Sequence, residues 1–174
     1  MLTTLSPRSV RSIWLLTLLG TILWLGAIVL APWLSLRGAS GPARVIYAAF
    51  APLCHQIPDR CFTLGGHPLP VCGRCLGIYA GFAAGLSLYP WIRGFSRVAL
   101  PDVRLFLLLT LPMAVDAVAG LAGLWTSPIW LRAATGLAWG AVLPFYFVTG
   151  IADFIRLRRE RTAARALVKG ASTQ

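Results

Sequence analysis

Six residues able to bind a soft metal or exchange electrons crowd into one short segment. The order is Cys54-His55-Gln56-Ile57-Pro58-Asp59-Arg60-Cys61, then His67, then Cys72-Gly73-Arg74-Cys75. These are all four cysteines and both histidines of the 174-residue chain. Packing cysteines scatter through protein cores, so confinement of every soft ligand to one loop argues for chemistry. Cys72-x-x-Cys75 also stands where a long apolar run begins, which places it at or just before a helix N-terminus. There the helix dipole and the cation of Arg74 favour thiolate over thiol. Thiolate is the form needed both to hold a metal and to attack a disulfide.

Three chemistries fit this set. Cys54, Cys72 and Cys75 with His55 or His67 make a Cys3His shell, a common tetrahedral arrangement for zinc. Adjacent side chains point in different directions, which works against Cys54 and His55 reaching one ion. Alternatively, Cys72 and Cys75 form a reversible disulfide, with Cys54 or Cys61 as exchange partner. An outward-facing thiol pair beside a four-helix bundle is how membrane thiol oxidases coupled to quinone are arranged. The third is two plain disulfides stapling an exported loop, for which an even cysteine count in an oxidising compartment is enough. Four cysteines allow three pairings.

The elements that must hold this loop are those of a membrane protein. Hydrophobic residues make up 57% of the chain and charged ones 12%, against roughly 25% charged in soluble folds. Four stretches come near the roughly 20 apolar residues that cross a bilayer: residues 13–36, 75–92, 105–125 and 129–155. The first exceeds the length of a signal-peptide h-region and lacks a small-x-small cleavage site, so it is expected to stay as an anchor. The expected fold is an all-α integral membrane protein, a four-helix bundle in one domain over residues 1–155. Its Cys/His loop, about 37–74, joins the first two spans. Residues 45–53 are apolar but too short to span, and are expected to lie at the membrane interface and deliver Cys54.

Orientation follows from the cations, which collect on the cytoplasmic side. With both termini inside, Arg8, Arg11, Arg93, Arg97, Arg104 and the tail put eleven basic residues in the cytoplasm. Five stay outside: Arg37, Arg44, Arg60, Arg74 and Arg132. An N-in, C-in protein of the cell (inner) membrane is expected, with its thiol loop extracytoplasmic. The basic tail, residues 156–174, reads as a helical extension near anionic lipid. A net charge of +11 suits nucleic acid only as a basic stripe on a soluble fold, and here the arginines lie between apolar runs, so no nucleic-acid partner is expected.

Packing signals are equally plain. Gly77, Gly81 and Gly85 share one helix face, and Gly136 and Gly140 repeat the spacing. Such faces let backbones approach closely, within one chain or between the chains of an oligomer. Gly120 and Gly123 give the third span a small-residue patch. Asp116 falls near the middle of that span, where an ionised carboxylate is costly unless paired or hydrated. Arg132 enters the fourth span from the outer side, about two helical turns away in depth. A pair between them needs a long reach or a water, and Thr135 and Tyr79 are candidate partners for either. Asp116 could relay protons, line the path of a small transporter or channel, orient the loop from below, or fasten helices together. No phosphate-binding loop is visible, since Gly65-Gly66 lacks the strand–loop–helix context.

The motif Cys54-His55-Gln56-x-Pro58-x-Arg60-x-Phe62, followed by Cys72-x-Arg74-Cys75-x-Gly77-Ile78-Tyr79-x-Gly81, resembles a family of predicted bacterial membrane proteins catalogued as a domain of unknown function. The later segment is similar too: Pro112 and Asp116, then Thr126-Ser127, Arg132 and Thr135-Gly136. The resemblance covers residues 47–140 and implies no reaction or substrate. It marks Cys54, His55, Gln56, Pro58, Arg60, Cys72, Arg74 and Cys75 as one unit. This chain departs from the pattern at Cys61, where the family usually has serine, and at Ala117, where it has glycine; His67 lies outside it. The resemblance thus implies His55 over His67 as fourth ligand, with Gln56, Arg60, Arg74, Asp116 and Arg132 in support.

Overall fold

The computed structural model describes residues 7–95 and 102–171, with side chains over 8–95 and 102–162. Arg97 and the side chains of Arg165 and Lys169, counted above among the cytoplasmic cations, lie outside the described residues.

Five helices follow one another: α1 (Pro7–Leu36), α2 (Ser40–Phe50), α3 (Gly73–Ile92), α4 (Val103–Leu121) and α5 (Ile129–Ala171). Between α2 and α3 lie a 3-10 turn (Pro58–Arg60) and two short strands, β1 (Thr63–Leu64) and β2 (His67–Pro68). Four segments are long and apolar enough to cross a membrane: Arg8–Leu36, Gly73–Ile92, Val103–Leu121 and Ile129–Thr162. At 1.5 Å per residue α3 and α4 are each about 30 Å long, close to the thickness of the hydrocarbon core. The outer faces of α1 and α4 carry Leu16, Leu23, Leu108, Leu111 and Val118 in the open, each more than half exposed. Such continuous apolar exposure is a liability in water and is what a lipid-facing helix requires.

The glycine faces of α3 and α5 meet. A Cβ at Gly77, Gly81 or Gly85 would collide with the carbonyl oxygen of Ala133, Leu137 or Ala141. Gly136 and Gly140 repeat this from the other side, against the carbonyls of Arg74 and Ile78. Residue numbers rise together along both helices, so α3 and α5 run parallel. These faces pack against each other inside the chain, the within-chain one of the two arrangements that the sequence allows.

α1 runs antiparallel to α3 and joins it at two clusters. At one end Val10, Leu86, Tyr89, Val148 and Ala152 are buried together, and the Trp14 indole N–H donates to the Leu86 carbonyl at 2.7 Å. At the other end Ile28, Phe50, Cys54, Leu69 and Val71 form a second cluster. Trp24 joins it, edge-on to Phe50 at 4.8 Å. The thiol loop is thus rooted in a core shared by α1, α2 and the start of α3.

α4 attaches to α5 through few polar contacts. The Trp139 indole N–H donates to Thr110 Oγ1 at 2.8 Å, and the Tyr146 hydroxyl to the Asp102 carbonyl at 2.9 Å. α4 stops at Leu121, short of the expected 125. Gly123 adopts φ +70, and the Leu124 N–H reaches back to the Ala119 carbonyl at 3.0 Å, a glycine-closed helix end. Gly123 therefore ends the helix instead of packing it.

Candidate metal centre

Cys72 is the residue immediately before α3, in extended conformation at φ −69, ψ 164. Cys75 follows on the first turn. Cys54 arrives from α2: its N–H bonds to the Phe50 carbonyl at 3.0 Å. The Cys72 N–H in turn donates to Cys54 Sγ at 3.1 Å. The sulfurs of Cys54, Cys72 and Cys75 lie within 4.8 Å of one another. Three thiolates around one zinc at about 2.3 Å stand roughly 3.8 Å apart in tetrahedral geometry, so closing on an ion needs less than about 1 Å of movement. All four cysteines are free thiols.

Electrostatics differ sharply between two of these cysteines. The Cys75 thiol donates to the Cys72 sulfur and pulls the Cys72 thiol well below its usual range, against the opposing effect of burial. Backbone N–H groups of Cys75 and Arg74 and the Cys54 thiol act in the same direction. Unpaired N–H groups at a helix start favour an anion there. Cys61 goes the other way: burial first, then the charges of Cys54 and Cys72, push its thiol up to about 11.

His55 does not join the three sulfurs; it is exposed. Gln56, the next residue, takes a left-handed backbone at φ 50, uncommon for a non-glycine residue, and its amide donates to the Tyr47 carbonyl at 2.7 Å. That bend turns the chain between Cys54 and the Pro58–Arg60 turn, so buried Cys54 and exposed His55 part company. His67 sits half-buried on β2 opposite Leu64, also outside the cluster. Arg60 is exposed at the end of its turn.

Behind the thiols lies a buried ionic group. Arg74, between Cys72 and Cys75, forms an ion pair with Asp116 of α4. The sequence puts Asp116 near the middle of its span, about two helical turns in depth from Arg132. With α4 ending at Leu121, it stands five residues from the helix end nearest the thiol loop, about 7–8 Å along the axis. Arg132 also acts electrostatically on Asp116, but its Nε donates to the Ser127 carbonyl at 3.0 Å. Thr135 bonds back to the Leu131 carbonyl at 3.0 Å and serves neither charge. Asp116, Ser127 and Arg132 are 7%, 8% and 6% exposed. The signal that could have identified the Arg74 partnership was position: Arg74 is a cation in the first turn of a span.

Removing one partner of a buried pair leaves the other charge uncompensated, at about 3–5 kcal/mol. Asp116→Ala is therefore expected to destabilise the protein by about 3 kcal/mol in micelle unfolding assays. Asp116→Asn, which still accepts from Arg74, should cost less. Equal stability of wild type and the alanine variant would remove Asp116 as the fastener of α4.

Four membrane-length helices holding a thiol cluster at one end define the class: a multi-pass membrane protein with a cysteine-rich loop. The chain belongs to the family described as Predicted membrane protein (DUF2085), whose model matches residues 54–146. An uncharacterised protein of Methanocaldococcus jannaschii is 32% identical over 143 residues, covering 79% of this chain and 92% of that protein. Another, from Methanothermobacter thermautotrophicus, is 41% identical over 91 residues, 52% of this chain and 80% of its own length. Both relatives are archaeal, so the bacterial setting expected from the sequence gains no support from them. No solved structure matches the chain.

Proposed function

We propose that this membrane protein binds a transition metal, with zinc favoured, through Cys54, Cys72 and Cys75 on the extracytoplasmic face of the cell membrane. One observation carries the proposal: three sulfurs from two separated segments converge within 4.8 Å. Thiolate is the metal-binding form, and the unpaired N–H groups at the start of α3 favour an anion there. The N-in, C-in topology that puts the loop outside rests on the distribution of basic residues. His55, the fourth ligand that the sequence favours, is exposed and stands apart from the three sulfurs. Arg74 and Asp116 would hold the first turn of α3 in place, and Gln56 the approach of Cys54.

A thiol–disulfide oxidoreductase is the second reading, favoured by the depressed Cys72 thiol. In it Cys72 and Cys75 lose two electrons and two protons in forming a disulfide, and a membrane quinone accepts them. Asp116 is occupied by Arg74, which supports a fastening role over a transport path.

A membrane-impermeant maleimide applied to intact cells separates these cases. Labelling of Cys54, Cys72 and Cys75 only after a chelator is the outcome expected of a metal site. Labelling only after a reductant would replace it with the redox chemistry. Protection under every condition until the membrane is opened would place the loop in the cytosol and end the proposal.

A further inference from the structure

The fourth cysteine lies on the same small scaffold. β1 and β2 pair antiparallel, Thr63 opposite Pro68 and Leu64 opposite His67. The turn between them is Gly65-Gly66, with φ +56 and +84, the two positive angles that a tight two-residue hairpin needs. The ladder continues outward, because the Leu69 N–H donates to the Phe62 carbonyl at 2.7 Å. Extended by one more residue, that register sets Cys61 opposite Pro70. Cys72 is two residues beyond Pro70, past bends at Pro70 and Val71, so Cys61 and Cys72 both stand at the open end of this hairpin.

Burial agrees with this placement. Cys61 is 2% exposed, and its thiol has no hydrogen-bond partner among the described residues. It is fixed from behind by the preceding turn, where the Cys61 N–H bonds to the Pro58 carbonyl at 3.0 Å. Cys61 stands outside the three sulfurs gathered within 4.8 Å of one another, and those three lack one donor for a closed tetrahedral shell. His55 is exposed and on the far side of the Gln56 bend.

We infer that Cys61, not His55, is the fourth ligand, so that this chain closes its site as a four-thiolate centre of structural type. The inference rests on the metal site proposed above and specifies its chemistry. Four thiolates and no open position describe a metal that braces the loop, with no place for a bound water.

Cobalt(II) added to the detergent-purified full chain reads thiolate number directly, through the intensity of its sulfur-to-cobalt charge-transfer band. Cys61→Ser should lower that intensity by about a quarter, as four thiolates become three. It should weaken binding at least about tenfold, the scale on which even outer-shell losses act. His55→Ala should leave both unchanged. The reverse pattern, with His55→Ala altering the band and Cys61→Ser leaving it intact, overturns the assignment while sparing the metal site. A wild type with no cobalt band at all overturns the site itself. A second measurement needs no variant: the alkylation rate of Cys61 in wild type with and without zinc. Zinc should slow it as much as it slows Cys72; equal rates with and without zinc contradict the inference.

Discussion

Replacing Cys72 and Cys75 together with serine will take the purified protein from about one bound metal ion per chain to near none. Structural zinc sites bind with about 10–16 kcal/mol at neutral pH, and that energy comes from thiolate bonds that a serine hydroxyl does not replace. Cys72 and Cys75 supply two of the three converging sulfurs, and Cys54 with Cys61 leaves only two of the four donors a structural site needs. The helices should survive, because Cys72 and Cys75 pack against the cluster at one end of the bundle, while the glycine faces of α3 and α5 and the cluster around Tyr89 stay intact. Helical content by circular dichroism therefore separates loss of metal from loss of fold. Unchanged metal content in a folded double variant would leave the cysteine cluster without its proposed role.

The second large effect concerns the α3–α5 contact. Gly81→Leu is expected to prevent these helices from seating, and with them the start of α3 that carries Cys72 and Arg74. Any Cβ at Gly81 meets the Leu137 carbonyl and lies 2.9 Å from the Ala141 amide nitrogen. Both are backbone atoms that cannot rotate away. Overpacking of this kind costs about 1–3 kcal/mol for small additions, and a leucine adds three carbons more. Gly26→Leu is the matched control, since a Cβ there meets nothing within 4 Å; surface changes usually stay within about 0.5 kcal/mol. Unfolding in mixed micelles should show Gly81→Leu far less stable than Gly26→Leu. Equal stability would mean that the two backbones are not in contact.

Much of this architecture was legible in the residues because the bilayer admits few solutions. Long apolar runs with charged ends read as helices, and four helices of the structure are long and apolar enough to cross a membrane. The α4 end is the instructive exception. Hydropathy carries on through Leu124 and Trp125, but Gly123 allows the positive φ that closes the helix two residues earlier. Asp116 therefore stands five residues from the end of α4, and its ion-pair partner is Arg74.

The convergence of Cys54 with Cys72 and Cys75 could be anticipated from their confinement to one loop. The fate of His55 could not, because it turns on a left-handed Gln56 that no spacing rule announces. Nor does spacing say whether two glycine faces meet within a chain or between chains. Here α3 and α5 run parallel and meet each other, a pairing that depends on how many spans lie between them.

On the proposed reading, the sulfur atoms gathered at the start of α3 hold a metal. An elemental spectrum of detergent-purified wild type, taken beside a count of reactive thiols, tests it most directly. We expect close to one zinc per chain, with the loop thiols silent until a chelator is added. A protein free of transition metal whose Cys54, Cys72 and Cys75 react at once would contradict it.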